Sequence, residues 1–222
     1  MIRKTLMMLF ALCLLMSFSA VTEESKSYEK LIEENRDTLT EENAIAFLEI
    51  PSINLLLPVM QHPQDDGFYL KHNALGEESA QGALYTEKTY NEKDFSDPVT
   101  VIYGRRMDDQ TMFGALQQLY SSSFDDAKDI YLYLPGEVRH YTAFAAVPFS
   151  NIHIMYSYNF RHSRMHEAFF DEVFATRRPG VQLDDGLRPE SGDKVIILST
   201  GLKGDATQRY LVIAKINRTE IN

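Results

Sequence analysis

The clearest pattern in the chain is the alternation in residues 129–136, DIYLYLPG. Ile130, Leu132 and Leu134 fall on one side, and Tyr131 and Tyr133 on the other. Successive side chains of a strand point to opposite faces, so this period of two predicts a strand with one face in a core. Residues 139–149, RHYTAFAAVPF, follow a Pro-Gly break and read as its hairpin partner. Shorter strand signals lie at 82–87, 98–104, 194–200 and 208–216. Residues 44–59, AIAFLEIPSINLLLPV, read as two short strands bent at Pro51 and Ser52, because proline removes a ladder donor. Helical spacing occurs in three places. In the charged stretch 23–37, Tyr28, Leu31 and Ile32 recur at i, i+3, i+4 and predict a helix laid against the domain. Residues 111–119 open on a Thr111 cap, with Met112, Leu116 and Leu119 on one face. Residues 163–176 carry the stripe Phe169, Phe170, Val173 and Phe174, with Ser163 and Glu167 near the spacing of a capping pair. Such a stripe is a core-facing surface. Seven or eight short strands, few helices and no βαβ alternation predict a mostly antiparallel barrel or sandwich with helical insertions.

The start of the chain follows a different pattern. Arg3 and Lys4 precede an apolar run over residues 6–18, and Ser17, Ser19 and Ala20 supply small residues near a cut site. This reads as a leader over 1–20, either a cleaved signal peptide or an N-terminal membrane anchor. A helical segment over 21–43 and one domain over 44–222 would follow. Cys13, inside the leader, is the only cysteine of the 222 residues. The exported part therefore has no disulfide, thiolate metal site or thiol nucleophile, which suits a Gram-positive surface. Net charge is −10, and because the leader is basic the remainder stands at −12. That excess argues against broad binding to nucleic acid and leaves membrane contact to the leader alone.

No phosphate-binding loop, dinucleotide fingerprint, zinc-protease motif or EF-hand is present. His162 and His166 share a helical spacing, but two histidines without a third ligand define no metal site. No cofactor is expected. The stretches IPSINLLLPVMQ (50–61), FYLKHNALGE (68–77), VIYGRRMDDQTMFGALQQL (101–119), VIILSTG (195–201) and QRYLVIAKI (208–216) together resemble the class B sortases. Those are Gram-positive cell-surface cysteine transpeptidases. The resemblance runs in order over residues 44–216 and implies a closed eight-stranded β-barrel with an N-terminal helix and a long helix between late strands.

The resemblance also implies a chemistry that this chain changes. In that family a cysteine after Leu-Ser-Thr forms an acyl-enzyme, a histidine after Tyr-Gly transfers protons, and an arginine at the start of the last strand steadies the oxyanion or substrate. Here Leu198-Ser199-Thr200 is followed by Gly201, Tyr103-Gly104 is followed by Arg105, and only Arg209 is retained. Gly201 has no nucleophile, and a guanidinium offers no lone pair to act as base. No catalytic residue is therefore expected. Arg209, Arg105, Ser199 and Thr200 are candidate substrate-binding residues. Arg105, Arg106 and Arg209 would form an anion pocket, unless they pair with acids such as Asp108, Asp109 or Asp205. The expected protein is an exported, transpeptidase-deficient sortase-like domain at the outer face of the membrane or wall. It would bind a sorting-signal peptide or wall component, or assist an active sortase. The alternatives are a hydrolase using Ser199 or an active sortase working by another mechanism. His72, in the KHN stretch, reads as a structural histidine.

Overall fold

A computed structural model describes residues 25–120 and 128–221; the expected leader, Cys13 included, lies outside the described residues. The strands are β1 (Ala44–Ile50), β2 (Leu55–Met60), β3 (Leu84–Tyr85), β4 (Val99–Tyr103), β5 (Asp129–Leu134), β6 (Glu137–Ser150), β7 (Gln182–Leu183), β8 (Val195–Leu202) and β9 (Asp205–Ile221). Their order is β5-β1-β2-β3-β4-β8-β9-β6-β7, and β5 also pairs with β6. That second pairing closes eight strands into a barrel, with β7 attached outside the ring on β6. The fold is mostly β, and closure removes the sheet edges that an open sheet would expose. Among the described residues, only β2–β3 and β4–β8 are parallel.

Both faces of the late strands are covered. Ile196 and Leu198 of β8 face the barrel interior with Tyr210, Val212 and Ala214 of β9. Val195 and Ile197 face outward with Leu211 and Ile213, and meet Phe169, Phe170 and Val173 of helix α3 (Ser163–Ala175). The helix α2 (Ile154–Ser157) and α3 lie between β6 and β7. Burial on both faces explains why residues 195–198 form a continuous apolar run instead of alternating. Each fully buried aromatic of this layer contributes on the order of 1.5–3 kcal/mol. On another side, α1 (Tyr28–Glu34) lays Leu31 and Ile32 over Phe47 and Tyr133. This covers the tyrosine face of β5. The start of α1 is set by Ser27, whose hydroxyl accepts from the Lys30 N–H at 3.3 Å.

Three local expectations change. Residues 111–119 do not form a helix from Thr111; a 3₁₀ helix begins at Ala115. Asp109 captures the N–H and hydroxyl of Thr111 at 3.0 and 2.6 Å, and the Phe113 N–H turns back to Arg105 O at 3.0 Å. Side-chain-to-backbone bonds of this kind compete with a helical turn, and Met112 takes a left-handed φ of 51°. The Ser163 and Glu167 capping pair does not form, because α3 begins at Ser163 with His162 as its cap residue and no capping side-chain bond. The strand expected over 82–87 shrinks to two residues.

Candidate functional site

The site is built by strand register. β4 and β8 run parallel with Tyr103 opposite Ser199, and the Gly104 N–H donates to Ser199 O at 3.1 Å. The chain therefore leaves β4 beside the end of β8. Gly104 permits this close approach: a Cβ there would lie 2.6 Å from both Leu84 Cδ2 and Phe113 Cδ2. β8 and β9 pair antiparallel with Gly201 opposite Arg209. Residues 105, 201 and 209, far apart in sequence, thus meet at one end of the barrel. They line a cavity of about 790 Å³, together with Tyr85, Glu87, Tyr103, His153 and Ser199.

Gly201 is not required by the backbone. Its φ lies outside the left-handed region, and a Cβ built on it meets nothing within 4 Å. Opposite it, Arg209 Nε donates to Ser199 Oγ at 3.2 Å and its Nη2 to Ser199 O at 3.3 Å. The guanidinium stands 6.0 Å from the Tyr103 ring centroid. Burial pulls the Arg209 pKa below the usual guanidinium value, with Tyr103, Tyr85 and Glu87 acting in the other direction. Among the described residues, no carboxylate lies within 4.0 Å of it. Arg105 is exposed and donates from Nε to Leu70 O at 2.8 Å. Arg106 also lines the cavity, but it is ion-paired with Asp108. The expected anion pocket and the expected self-pairing are therefore divided between residues.

Thr200 is a correction. It is completely buried and lies on the alternate, inward side of β8, outside the cavity lining. Ser199 does line the cavity, almost wholly buried, and its hydroxyl accepts from a cation and not from a histidine. Of the histidines, His153 lines the same cavity, and the others stand elsewhere. His72 Nδ1 lies 2.8 Å from Phe68 O, and the ring stacks on Phe68. His140 pairs with Asp129 at 2.7 Å. His162 is exposed, whereas His166 is buried against Phe160 and Phe170, so the two do not converge. Among the described residues, no three metal-ligating side chains come together.

Two residues of the wall were not singled out from sequence. His153 Nε2 lies 3.1 Å from Glu87, and its Nδ1 accepts the Tyr156 N–H at 3.1 Å. With Nδ1 accepting, the ring proton of a neutral His153 sits on Nε2, toward the carboxylate. Burial raises the Glu87 pKa, and His153 opposes the rise. Burial likewise raises Tyr85 and Tyr103, which stack at 5.3 Å. The only sequence signal was an acid just after a short tyrosine-bearing strand.

A closed barrel of this strand order, with a long helix between β6 and β7 and a groove at the ends of β4 and β8, is the class B sortase fold. The chain matches Clostridium perfringens sortase B with a TM-score of 0.69 and 23% identity, over 86% of this chain and 100% of that one. It matches a Staphylococcus aureus sortase B–substrate complex with a TM-score of 0.66 and 20% identity, over 86% and 91% of the two chains. In sequence it is 28% identical to sortase B of Listeria monocytogenes over 127 residues, 57% of this chain and 47% of that relative. The matched stretch thus spans about half the length of the Listeria protein. No protein-family model matches. By fold over most of its length, and by sequence likeness over part of it, the chain is similar to the class B sortases.

Proposed function

We propose that this is an exported class B sortase-like protein at the Gram-positive cell surface that binds a sorting-signal peptide in its groove without transpeptidase chemistry. A cell-wall component or an active sortase is the further partner in this reading. The single observation that carries it is a groove of about 790 Å³ at one end of the barrel that Gly201, Arg105 and Arg209 line together, the residues that the resemblance sets at the nucleophile, base and arginine positions. Loss of a nucleophile alone costs on the order of a million-fold in triad enzymes, and binding with oxyanion donors leaves only about 10³–10⁴ over water. Binding is better supported. Leu70 and Ile152 line the groove as exposed apolar side chains, and half-buried Arg209 is a fixed donor with no acid partner among the described residues. A peptide carbonyl or carboxylate beside Arg209 would gain a charge-assisted hydrogen bond.

The test incubates the purified protein with class B-type sorting peptides and a nucleophilic amine. The expected result is saturable binding that weakens in Arg209→Ala, with no cleavage or transfer. The double substitution Gly201→Cys with Arg105→His is expected to form a peptide adduct detectable by intact mass. Turnover by the unmodified protein that disappears in Ser199→Ala would overturn this reading and install the hydrolase. The Ser199 geometry does not favour that alternative, because its hydroxyl is held by Arg209 and, among the described residues, no base is in hydrogen-bond contact with it.

A further inference from the structure

The arginines separate into two groups by their partners. Arg36, Arg106, Arg139, Arg161, Arg188 and Arg218 each pair with a carboxylate. Among the described residues, Arg105, Arg164, Arg177, Arg178 and Arg209 do not. In a chain of net charge −10 acids are in surplus, so unpaired arginines gathered in one region are a selective feature. Arg164 is exposed near the start of α3. The other four lie along one surface. Arg105 and Arg209 line the groove, and Arg177 and Arg178 line a second cavity of about 560 Å³ beyond the end of α3. Gln208 lines both cavities, and Arg178 Nη1 donates to its Oε1 at 2.6 Å.

We propose that the groove continues past Gln208 onto Arg177 and Arg178, and that this path binds an acidic peptide, with carboxylates at Arg209 and at the Arg177–Arg178 pair. The inference rests on the groove reading above and specifies the charge of its ligand. The arginines are already positioned. Arg177 Nη1 is held by Phe174 O and Thr176 O at 2.6 and 2.9 Å, and Arg209 by Ser199. Ordering these side chains in advance lowers the entropy lost on binding. Four acids share the surface and decide the kind of anion, Asp185 among them in a neighbouring cavity that Arg177 and Arg178 also line. Glu87 and Asp205 line the groove, and Glu172 lines the second cavity. Asp205 is engaged by Thr207 and Gln208, and Glu172 by the Tyr158 hydroxyl. A dense polyphosphate would meet all four as like charges. A peptide with a few spaced carboxylates can place neutral residues beside them, and its apolar residues can use Leu70 and Ile152.

The experiment titrates the purified protein with two fluorescent decapeptides of identical sequence, except that spaced glutamates in one are glutamines in the other. A poly(glycerol phosphate) of equal charge is the third probe. The glutamate peptide should bind about tenfold tighter at low salt, and the advantage should shrink as salt rises. Arg177→Gln/Arg178→Gln should remove most of that advantage and leave the glutamine peptide unchanged. Arg178→Gln alone should remove part of it and leaves the α3 carbonyl bonds of Arg177 in place. Equal affinity for the two peptides overturns the inference, as does an unaffected double variant or a preference for the polyphosphate. A loss in Arg209→Ala with none in the double variant rejects the extended path and leaves the groove reading standing. A loss in the double variant with none in Arg209→Ala rejects both.

Discussion

If Gly201 is present for reasons of function and not of folding, a side chain should be tolerated there and not at Gly104. The comparison is Gly201→Ala with Gly104→Ala. At residue 201 a Cβ meets nothing within 4 Å, and the backbone is not left-handed. Alanine restricts the unfolded chain more than glycine does, and a strand residue gains from the change. The expected effect is a stabilisation of about 0.4–1 kcal/mol. At residue 104 the added Cβ would stand 2.6 Å from Leu84 Cδ2 and from Phe113 Cδ2, and both side chains are completely buried. Neither can move without displacing packed neighbours, so overpacking should cost about 1–3 kcal/mol. For a domain of this size 1 kcal/mol moves Tm by about 2–4 °C. Thermal and urea melts followed by circular dichroism would separate the two variants by several degrees, in opposite directions from the parent. Destabilisation of Gly201→Ala by 1 kcal/mol or more would refute the reasoning, because the glycine would then be a structural requirement. The same outcome would weaken any attempt to restore a thiol at that position.

Three further outcomes follow from packing and polar burial. Asn91 is buried, accepts the Val101 N–H at 3.1 Å and donates to Val99 O at 2.9 Å, so it completes the ladder of β4; Asn91→Leu should cost about 1–3 kcal/mol for each group left unpaired, measured by urea unfolding. Phe169 is fully buried between α3 and the barrel, and Phe169→Ala should cost about 3–5 kcal/mol in the same assay. Burial lowers the His166 pKa, Arg188 lowers it further, and Asp193 and Glu167 oppose the shift. The unfolded chain therefore binds that proton more readily than the folded one. The stability contributed by neutral His166 is complete above about 6.5, the unperturbed histidine value, and is lost as pH falls toward the folded-state pKa. In Tm measured against pH, His166→Leu should lose less stability than the parent on acidification below that value; parallel curves would contradict it.

Much of the barrel was legible because its signals are local. The alternation of residues 129–134 and the apolar run at 195–198 reflect one-sided and two-sided burial, and both became strands where expected. The Phe169, Phe170, Val173 and Phe174 stripe became the buried face of α3. The 111–119 segment misled because helical spacing of Met112, Leu116 and Leu119 was outweighed by hydrogen bonds that Asp109 accepts from Thr111 and by a turn back to Arg105. Glu87 and His153 were invisible as a pair, since 66 residues separate them and no spacing rule connects the end of β3 to the start of α2. Arg106 and Arg209 were both set in the candidate anion pocket, yet one has an acid partner and the other, among the described residues, has none.

What the sequence determined by itself is covalent. Residue 201 has no side chain, residue 105 has no lone pair, and no cysteine follows Cys13. These facts hold in any fold. Only the tertiary structure decided that residues 105, 201 and 209 share one cavity, that Thr200 faces inward while Ser199 faces the groove, and that Arg177 and Arg178 lie one glutamine away. The reason is that strand register joins segments about a hundred residues apart. A one-residue slip of β8 against β9 would exchange its two faces and leave every local pattern unchanged.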